Sequence, residues 1–496
     1  MNVRKKLENL NIEKRAYING EFVEAENRKT IEKISSIDGL IISGIAACDD
    51  VDVNKAVEFA KKSFYSGSWS MLPPSEKKII LLKLADLMEK NREELALLDT
   101  YETGRSYQNY FYDSIPKAIE VVRYFAEAVD KYYDKAIPPR GSEFGVIIRV
   151  PLGVVGAITP WNDPLVVAAW KFAPALLMGN SIVMKPAEQS SLSILKVAAL
   201  TREAGIPSGV FNVVTGYGEV AGKALALHKD VRGIFFTGSS TTGKRILEYS
   251  GQSNMKKVAL ECGGKGPYIV TNNCSNLAEA AKVLADNMFY NQGQICSAPS
   301  RVIIDKSKFN DFIKYLKLEC ERYVPGDPYD TDNNVGCVVS PEQYHKIQKY
   351  IQQAKDEGAE VYQAQNKKLH SEKACCIQPT IISNISIMSK VVVEEIFGPV
   401  VVVLPVEGVD EALSIANSSD YGLAGAVWTD DLDEAYYVAR NIETGLVHIN
   451  SYGNDDNSAP FGGVKESGLG KDKSLYSFDE YSDLKTIWFH SRNYQR

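Results

Sequence analysis

Residues 154–185 read VVGAITPWNDPLVVAAWKFAPALLMGNSIVMK. The first six form a β-branched run that Pro160 stops. An apolar helical stretch follows from about Leu165 to Leu177 and ends at Gly179-Asn180, and SIVMK is a second strand. The alternation continues to residue 270. SLSILKVAALTREAG is helical and stops on Gly205, a natural C′ residue. FNVV, GEVAGKALALH, VRGIFF, TTGKRILEYS and KKVAL then alternate strand and helix. Strands separated by helices of this length imply parallel βαβ units and a doubly wound α/β sheet.

A second alternating region begins near residue 275, with helices in KFNDFIKYLKLECERY and EQYHKIQKYIQQAKDEG and a strand in PVVVVLPV. It reads as a separate α/β domain. Residues 50–130 look mostly helical and are expected to cover one face of the first sheet. Two stretches fit neither unit: AIPPRGSEFGVIIRV resembles a long exposed hairpin, and SDLKTIWF is a lone strand without a sequential partner. Unpaired strands invite another chain, so oligomerisation through these edges is expected.

A chain of 496 residues is too long for one core and suggests two or three domains. The net charge of −7 argues against nucleic-acid binding, which usually needs a basic face. MNVRKKLENLNIEKRAY lacks the apolar run of about 7–15 residues of a signal peptide, and no apolar run approaches the roughly 18–20 residues of a membrane span. A cytoplasmic protein is the expectation. The eight cysteines include no C-x-x-C pair and there are five histidines, so neither a metal site nor a disulfide framework is expected.

Several local patterns bear on chemistry, each with a plain structural alternative. No G-x-G-x-x-G occurs; Gly216-Tyr-Gly218 with Gly222 comes nearest, but its last spacing is one residue too long and taken alone it reads as a turn. TGSSTTG (237–243) follows a strand and opens a helix, offering free N–H groups to a phosphate or simply a hydroxyl-capped helix start. Lys185 and Glu188, in KPAE, sit where ligands collect on open α/β sheets. A carboxylate there accepts from ribose hydroxyls and repels a 2′-phosphate; the plain alternative is a solvated charge pair on a loop. Cys296, in FYNQGQICSAPSR, has Gly293 just before it, and no histidine lies between His228 and His345 to activate it. Glu261, in LECGGKGP, closes an apolar strand before two glycines and is a candidate general base or an ordinary strand-end carboxylate.

The combination LECGGK, GQICSA, EEIFGPV and PFGGVKESGLG, with TPWNDP, MKPAE and TGSSTTG in order, resembles the aldehyde dehydrogenase superfamily from about residue 15 to residue 490. Two longer stretches, YETGRSYQNYFYDSIPKAIEVVRYFAEAVDK and GKDKSLYSFDEYSDLKTIW, are similar to the γ-glutamyl-γ-aminobutyraldehyde and guanidinobutyraldehyde dehydrogenase group. The resemblance implies an NAD-binding Rossmann-like domain over 1–130 and 150–263, a catalytic domain over 264–477, and an oligomerisation hairpin and tail over 131–149 and 478–496. A homodimer or homotetramer follows from it, with NAD as cofactor and a small aldehyde as substrate.

Roles carry over by position. Cys296 corresponds to the nucleophile, Asn162 to the oxyanion donor, Glu261 to the base that activates water, and Lys171 with Asp472 to a proton-relay pair. Cofactor contacts correspond to Thr159, Pro160, Trp161, Lys185, Glu188, Gly218, Gly222, Thr237, Gly238, Ser239, Gly243, Cys262, Gly263, Glu395 and Phe397. Asp163, Val166, Val167, Trp170, Tyr290, Ile295, Asp455 and Phe461 correspond to the substrate tunnel, with Tyr110 and Asp113 at its mouth. Asp163, Asp455 and the neighbouring Asp456 are expected to attract an ammonium or guanidinium tail. Two positions depart from the usual pattern: Cys262 stands where leucine is common, placing a second thiol near the nucleophile, and Asp472 where glutamate is common. A CoA-acylating or phosphorylating relative, a broad-range aldehyde dehydrogenase and a catalytically silent scaffold are the rival readings. Glu261 argues against the first, and the joint presence of Cys296, Glu261, Asn162 and Glu395 against the last.

Overall fold

A computed structural model describes residues 3–366, 371–454 and 456–490. Five parallel strands form the centre of the first sheet, in the order Phe211–Val213, Ser181–Pro186, Val154–Thr159, Val231–Thr237, Lys257–Glu261. Their residues are buried on both faces almost throughout, which is why they read as continuous apolar runs rather than alternating ones. Helix Pro164–Leu177 starts on Pro164, whose fixed φ and missing N–H suit a first helical turn. Helix Leu192–Ala204 ends on Gly205 at φ 109°, in the left-handed conformation expected of a C′ glycine.

Both edges of this sheet are closed by antiparallel strands that sequence reading passed over. On one side Ala16–Ile18 and Glu21–Val23 form a hairpin, and Tyr17 pairs with Val213. On the other, Gly468–Leu469 pairs with Leu260 and Glu261, so a segment far along the chain lies beside the strand end that carries Glu261.

The second sheet has seven strands. Six are parallel, Thr380–Ser383, Val400–Val406, Arg301–Asp305, Pro267–Val270, Ala424–Trp428 and Leu446–Ile449, and Glu360–Gln363 adds an antiparallel edge. Helix Asp50–Ser66 packs directly on the first sheet, whereas Pro74–Lys90, Arg92–Thr103 and Ile115–Ala128 form an outer layer over helices Pro164–Leu177 and Leu192–Ala204, so the mostly helical region 50–130 covers the sheet face only in part.

The two segments that fit neither unit pair with each other. Ser482–His490 runs antiparallel to Glu143–Pro151 along its whole length, and Lys135–Arg140 completes a three-stranded sheet. The C-terminal strand therefore has a partner within its own chain, one too distant in sequence to be read locally. Pro138 and Pro139 fall at the irregularity between Ile137 and Arg140 on an edge strand, where a missing N–H costs no ladder bond. Among the described residues no helix is long and apolar enough to cross a membrane.

Candidate active site

Cys296 follows a distorted turn. Helix Leu277–Met288 runs into residues 290–293, where Asn291 and Gln292 both hold left-handed backbone at φ 49° and 55°. Gly293, at φ 67°, packs so closely on the Gly398 carbonyl that a Cβ would overlap it. Such strain persists only when the surroundings hold it, and four side-chain amides do so. Gln292 exchanges side-chain hydrogen bonds with the Ile377 backbone, donating at 3.1 Å and accepting at 2.9 Å. Gln294 Oε1 accepts from Val339 N at 2.9 Å, and its Nε2 donates to Asn291 O at 3.1 Å. Asn291 Nδ2 donates to Asn162 O at 3.0 Å, and Asn162 Nδ2 donates to Gln294 O at 3.1 Å. Asn162 is thereby fixed against the loop that carries Cys296, with the second N–H of its amide left to offer. The Cys296 side chain is half-buried.

Glu261 ends its strand with the carboxyl group buried. Neither oxygen has a side-chain partner, and burial together with the nearby Asp472 carboxylate pushes the group well above the usual carboxylate range. Lys171, Lys471 and the Asp472 backbone amide oppose that shift. Lys171 Nζ donates to Asp472 Oδ2 at 2.5 Å, both side chains being buried. Beyond Glu261 the chain turns toward Cys296: a Cβ on Gly264 would stand 2.6 Å from the Cys296 carbonyl oxygen. The turn that follows Glu261 and the loop that carries Cys296 are thus in direct backbone contact.

The turn Cys262–Lys265 is the hub of the site. Cys262 N donates to Ser467 O at 2.8 Å, and Ser467 Oγ donates to Gly263 O at 2.7 Å, tying GVKESGLG to LECGGK. Gly264 N donates to Glu395 Oε1 at 3.0 Å. Lys265 Nζ, fully buried, donates to Val391 O at 2.8 Å and Glu394 O at 2.7 Å, and burial lowers its ammonium to about 7. Sequence reading missed Ser467 and Lys265, although both lie inside the motifs it quoted. The Cys262 thiol packs against Gly243 and is pushed up to about 12 by burial, so its position is one of packing on the helix that follows TGSSTTG.

The expected cofactor positions, Glu395 and Phe397 apart, lie at or just beyond the carboxyl ends of the first sheet's parallel strands. Ser239 caps helix Ser240–Gln252, accepting from Thr242 N at 3.3 Å; Ser239 and Thr241 are exposed and Gly238 is half-buried. Thr159 and Thr237, on adjacent strands, have buried hydroxyls without a protein partner. Lys185, lowered by burial, donates to Glu188 Oε2 at 3.1 Å, and Gly222 lies over the Lys185 side chain. Gly218 faces open space. Trp161, following Pro160, meets Phe397 edge-on at 5.3 Å. Orphaned hydroxyls, a helix N-terminus and paired Lys185 and Glu188 make a donor–acceptor set that fits a dinucleotide. Gly216 lies in a bend, as a turn reading expects, and at φ 142° it packs so closely on the Cys48 carbonyl that a Cβ would stand 2.7 Å from the oxygen, so the first glycine of the partial fingerprint serves close packing.

On the other side of Cys296, Ile295 and Phe461 line a small cavity with Ser297, His448 and Tyr452. Trp170 lies 5.2 Å from Phe461, and Val166 and Val167 are buried behind. Asp163 and Tyr290 meet at a residue that sequence reading missed, Arg105. Its guanidinium, 1% exposed, lies 3.3 Å from Asp163 Oδ2, donates to Tyr290 Oη and stacks on the Tyr110 and Tyr290 rings. Tyr110 is fully buried beneath this cation and does not border a mouth. Asp456 is exposed and accepts from Ser458 N at 2.7 Å; Asp455 lies outside the described residues. Among the described residues no group of three or more His, Cys, Asp or Glu is placed to hold a metal ion.

Comparison with known proteins agrees with this geometry. Residues 22–487 match the model of the aldehyde dehydrogenase family. The chain is 42% identical over 479 residues to the NADP/NAD-dependent aldehyde dehydrogenase PuuC of Escherichia coli K12, covering 97% of this chain and 96% of that one. It superposes on P. syringae AldA, an indole-3-acetaldehyde dehydrogenase solved with NAD+ and IAA, with TM-score 0.96, 41% identity and 99% of each chain covered. The γ-glutamyl-γ-aminobutyraldehyde dehydrogenase of Burkholderia cenocepacia J2315 gives TM-score 0.95 at 41% identity, covering 99% of this chain and 100% of the other. Likeness of this extent, over nearly the whole length, makes the chain a member of the aldehyde dehydrogenase family.

Proposed function

We propose that this chain oxidises an aldehyde to the carboxylic acid with NAD, through a covalent intermediate on Cys296. The observation that carries the reading is the contact between the turn after Glu261 and the backbone of Cys296, which brings a buried carboxyl group and a half-buried thiol to one place. Cys296 Sγ adds to the aldehyde carbon, and the oxygen of the resulting thiohemiacetal takes hydrogen bonds from Asn162 and the Cys296 backbone N–H. Losing one such donor costs about 3 kcal/mol of transition-state stabilisation. A bound dinucleotide, held by the Lys185–Glu188 pair, the helix start at Gly238 and Ser239, and Glu395 with Phe397, supplies the hydride acceptor that leaves a thioester on Cys296. Glu261 then takes a proton from water as its oxygen attacks the thioester carbon, which releases the acid and returns Cys296 as the thiolate that begins the next cycle. Lys171 and Asp472 carry that proton away from Glu261.

The substrate we infer is an aldehyde with a nitrogen-bearing chain, of the ω-amino, γ-glutamylamino or guanidino class; the likeness to the Burkholderia enzyme supports it. The homo-oligomer is likewise inferred. The outer edge of Ser482–His490 has no partner strand among the described residues and carries exposed Leu484, Trp488 and Phe489. The test of the reaction is Cys296→Ala: reduction of NAD on adding aldehyde is expected to vanish while NAD binding persists. Turnover above a trace in that variant would remove Cys296 as nucleophile.

A further inference from the structure

We propose that Arg105 determines specificity by cancelling the Asp163 carboxylate beside the nucleophile loop, so that the tunnel wall gives a bare cationic tail no advantage over an uncharged or zwitterionic one. The inference rests on the aldehyde-oxidising reading and refines its substrate class.

The geometry begins one residue from the oxyanion donor. Asp163 precedes helix Pro164–Leu177 and follows Asn162, which touches the Cys296 loop. Tyr290 opens that loop from the other side. Between them Arg105 presents its guanidinium 3.3 Å from Asp163 and 3.9 Å from Asp113. Tyr290 Oη donates to Asp113 Oδ2 at 2.7 Å, Ser114 Oγ to Asp163 Oδ2 at 3.2 Å, and Lys117 Nζ lies 2.8 Å from Asp113. Two cations thus face two carboxylates. Asp99 is buried nearby, and burial pushes its carboxyl well above the carboxylate range.

The aromatic faces are taken as well. The Arg105 guanidinium lies 4.8 Å from the Tyr110 ring centre and 4.7 Å from that of Tyr290. On the opposite wall the Lys473 ammonium lies 5.9 Å from Trp170 and 5.8 Å from Phe461. A substrate cation would find these rings already facing protein cations, and Asp163 already neutralised. What remains for a tail is shape and hydrogen bonding. A γ-glutamylamino tail, whose ammonium and carboxylate cancel, is at no disadvantage to a guanidinium on such a wall.

The experiment measures kcat/KM with NAD for guanidinobutyraldehyde and for a neutral aldehyde of equal length. In the wild-type chain the two are expected to agree within about threefold. Arg105→Met should raise the cation-to-neutral ratio by about fivefold or more, mainly through KM, since a part-exposed carboxylate contributes on this scale. Arg105→Met/Asp163→Asn should return the ratio to its starting value, and Arg105→Lys should preserve it. Asp163→Asn alone, which keeps Arg105, should move the ratio the other way. A merely structural Arg105 would lower both constants together and leave the ratio fixed. A fixed ratio in Arg105→Met and Asp163→Asn, or a strong wild-type preference for the cation, overturns the proposal. If Arg105→Met does not fold, Asp163→Asn decides alone. Absence of NAD reduction with any aldehyde in the wild type would instead contradict the reaction itself.

Discussion

Asp472 holds two parts of the site at once: its carboxylate accepts from Lys171 Nζ at 2.5 Å, and its backbone exchanges two 2.8 Å hydrogen bonds with Phe461, which lines the cavity beside Cys296. The same carboxylate raises the Glu261 carboxyl, and Lys171 lowers it. Their effects on Glu261 therefore oppose each other.

Asp472→Asn removes the raising charge and leaves the lowering one. Glu261 should then ionise at lower pH, and the acid limb of the kcat–pH profile should move down. Lys171→Met should move it up. Both variants should also lower Tm, because breaking a buried pair costs about 3–5 kcal/mol. An acid limb that stays in place in both would detach the pair from the base.

Burial of Glu261 also has a stability consequence with a definite sign. The folded-state pKa lies above the unfolded value, so between the two the folded protein binds more protons, and stability falls as pH rises through that window. Glu261→Gln should therefore be about as stable as the wild type near pH 5 and more stable at pH 8, by about 1–2 °C in Tm. Equal Tm differences at the two pH values would contradict a raised Glu261.

Glu188 bears on cofactor choice. Its carboxylate is held by Lys185 at 3.1 Å, and we infer that a 2′-phosphate on the adenosine ribose would bring like charge against it. NAD should be preferred over NADP, and Glu188→Gln should narrow the kcat/KM ratio by about tenfold, mainly through the KM for NADP. Preference of the wild type for NADP would show that Glu188 does not face the adenosine ribose.

Local patterns and distant ones differed in how far they could be read. The parallel strands and their helices were legible because each is a contiguous run with its own stop, such as Pro160 or Gly205. The Asn19-Gly20 hairpin was legible in principle. Both residues hold left-handed backbone, at φ 55° and 85°, as an Asn-Gly turn between short apolar runs implies. Its flanking strands of three residues were too short to register as a pattern. The partner of Ser482–His490 was not legible, since it lies more than 300 residues back along the chain. Arg105 was hidden for the same reason: no local spacing joins it to Asp163 or Tyr290, and only the fold makes their charges cancel. Asp163 was accordingly read as a free anion when it is a paired one.

The most direct measurement of the proposed chemistry is a rapid-mixing experiment on Glu261→Gln with aldehyde and NAD, followed at the absorbance of the reduced cofactor and by mass spectrometry of the quenched protein. A burst of one reduced cofactor per competent subunit is expected, then a steady rate at least about 100-fold below wild type, with an acyl group on the peptide containing Cys296. Wild-type turnover without a burst, or a quenched protein with Cys296 unmodified while reduced cofactor accumulates, would contradict Cys296 as nucleophile and Glu261 as the base that releases its product.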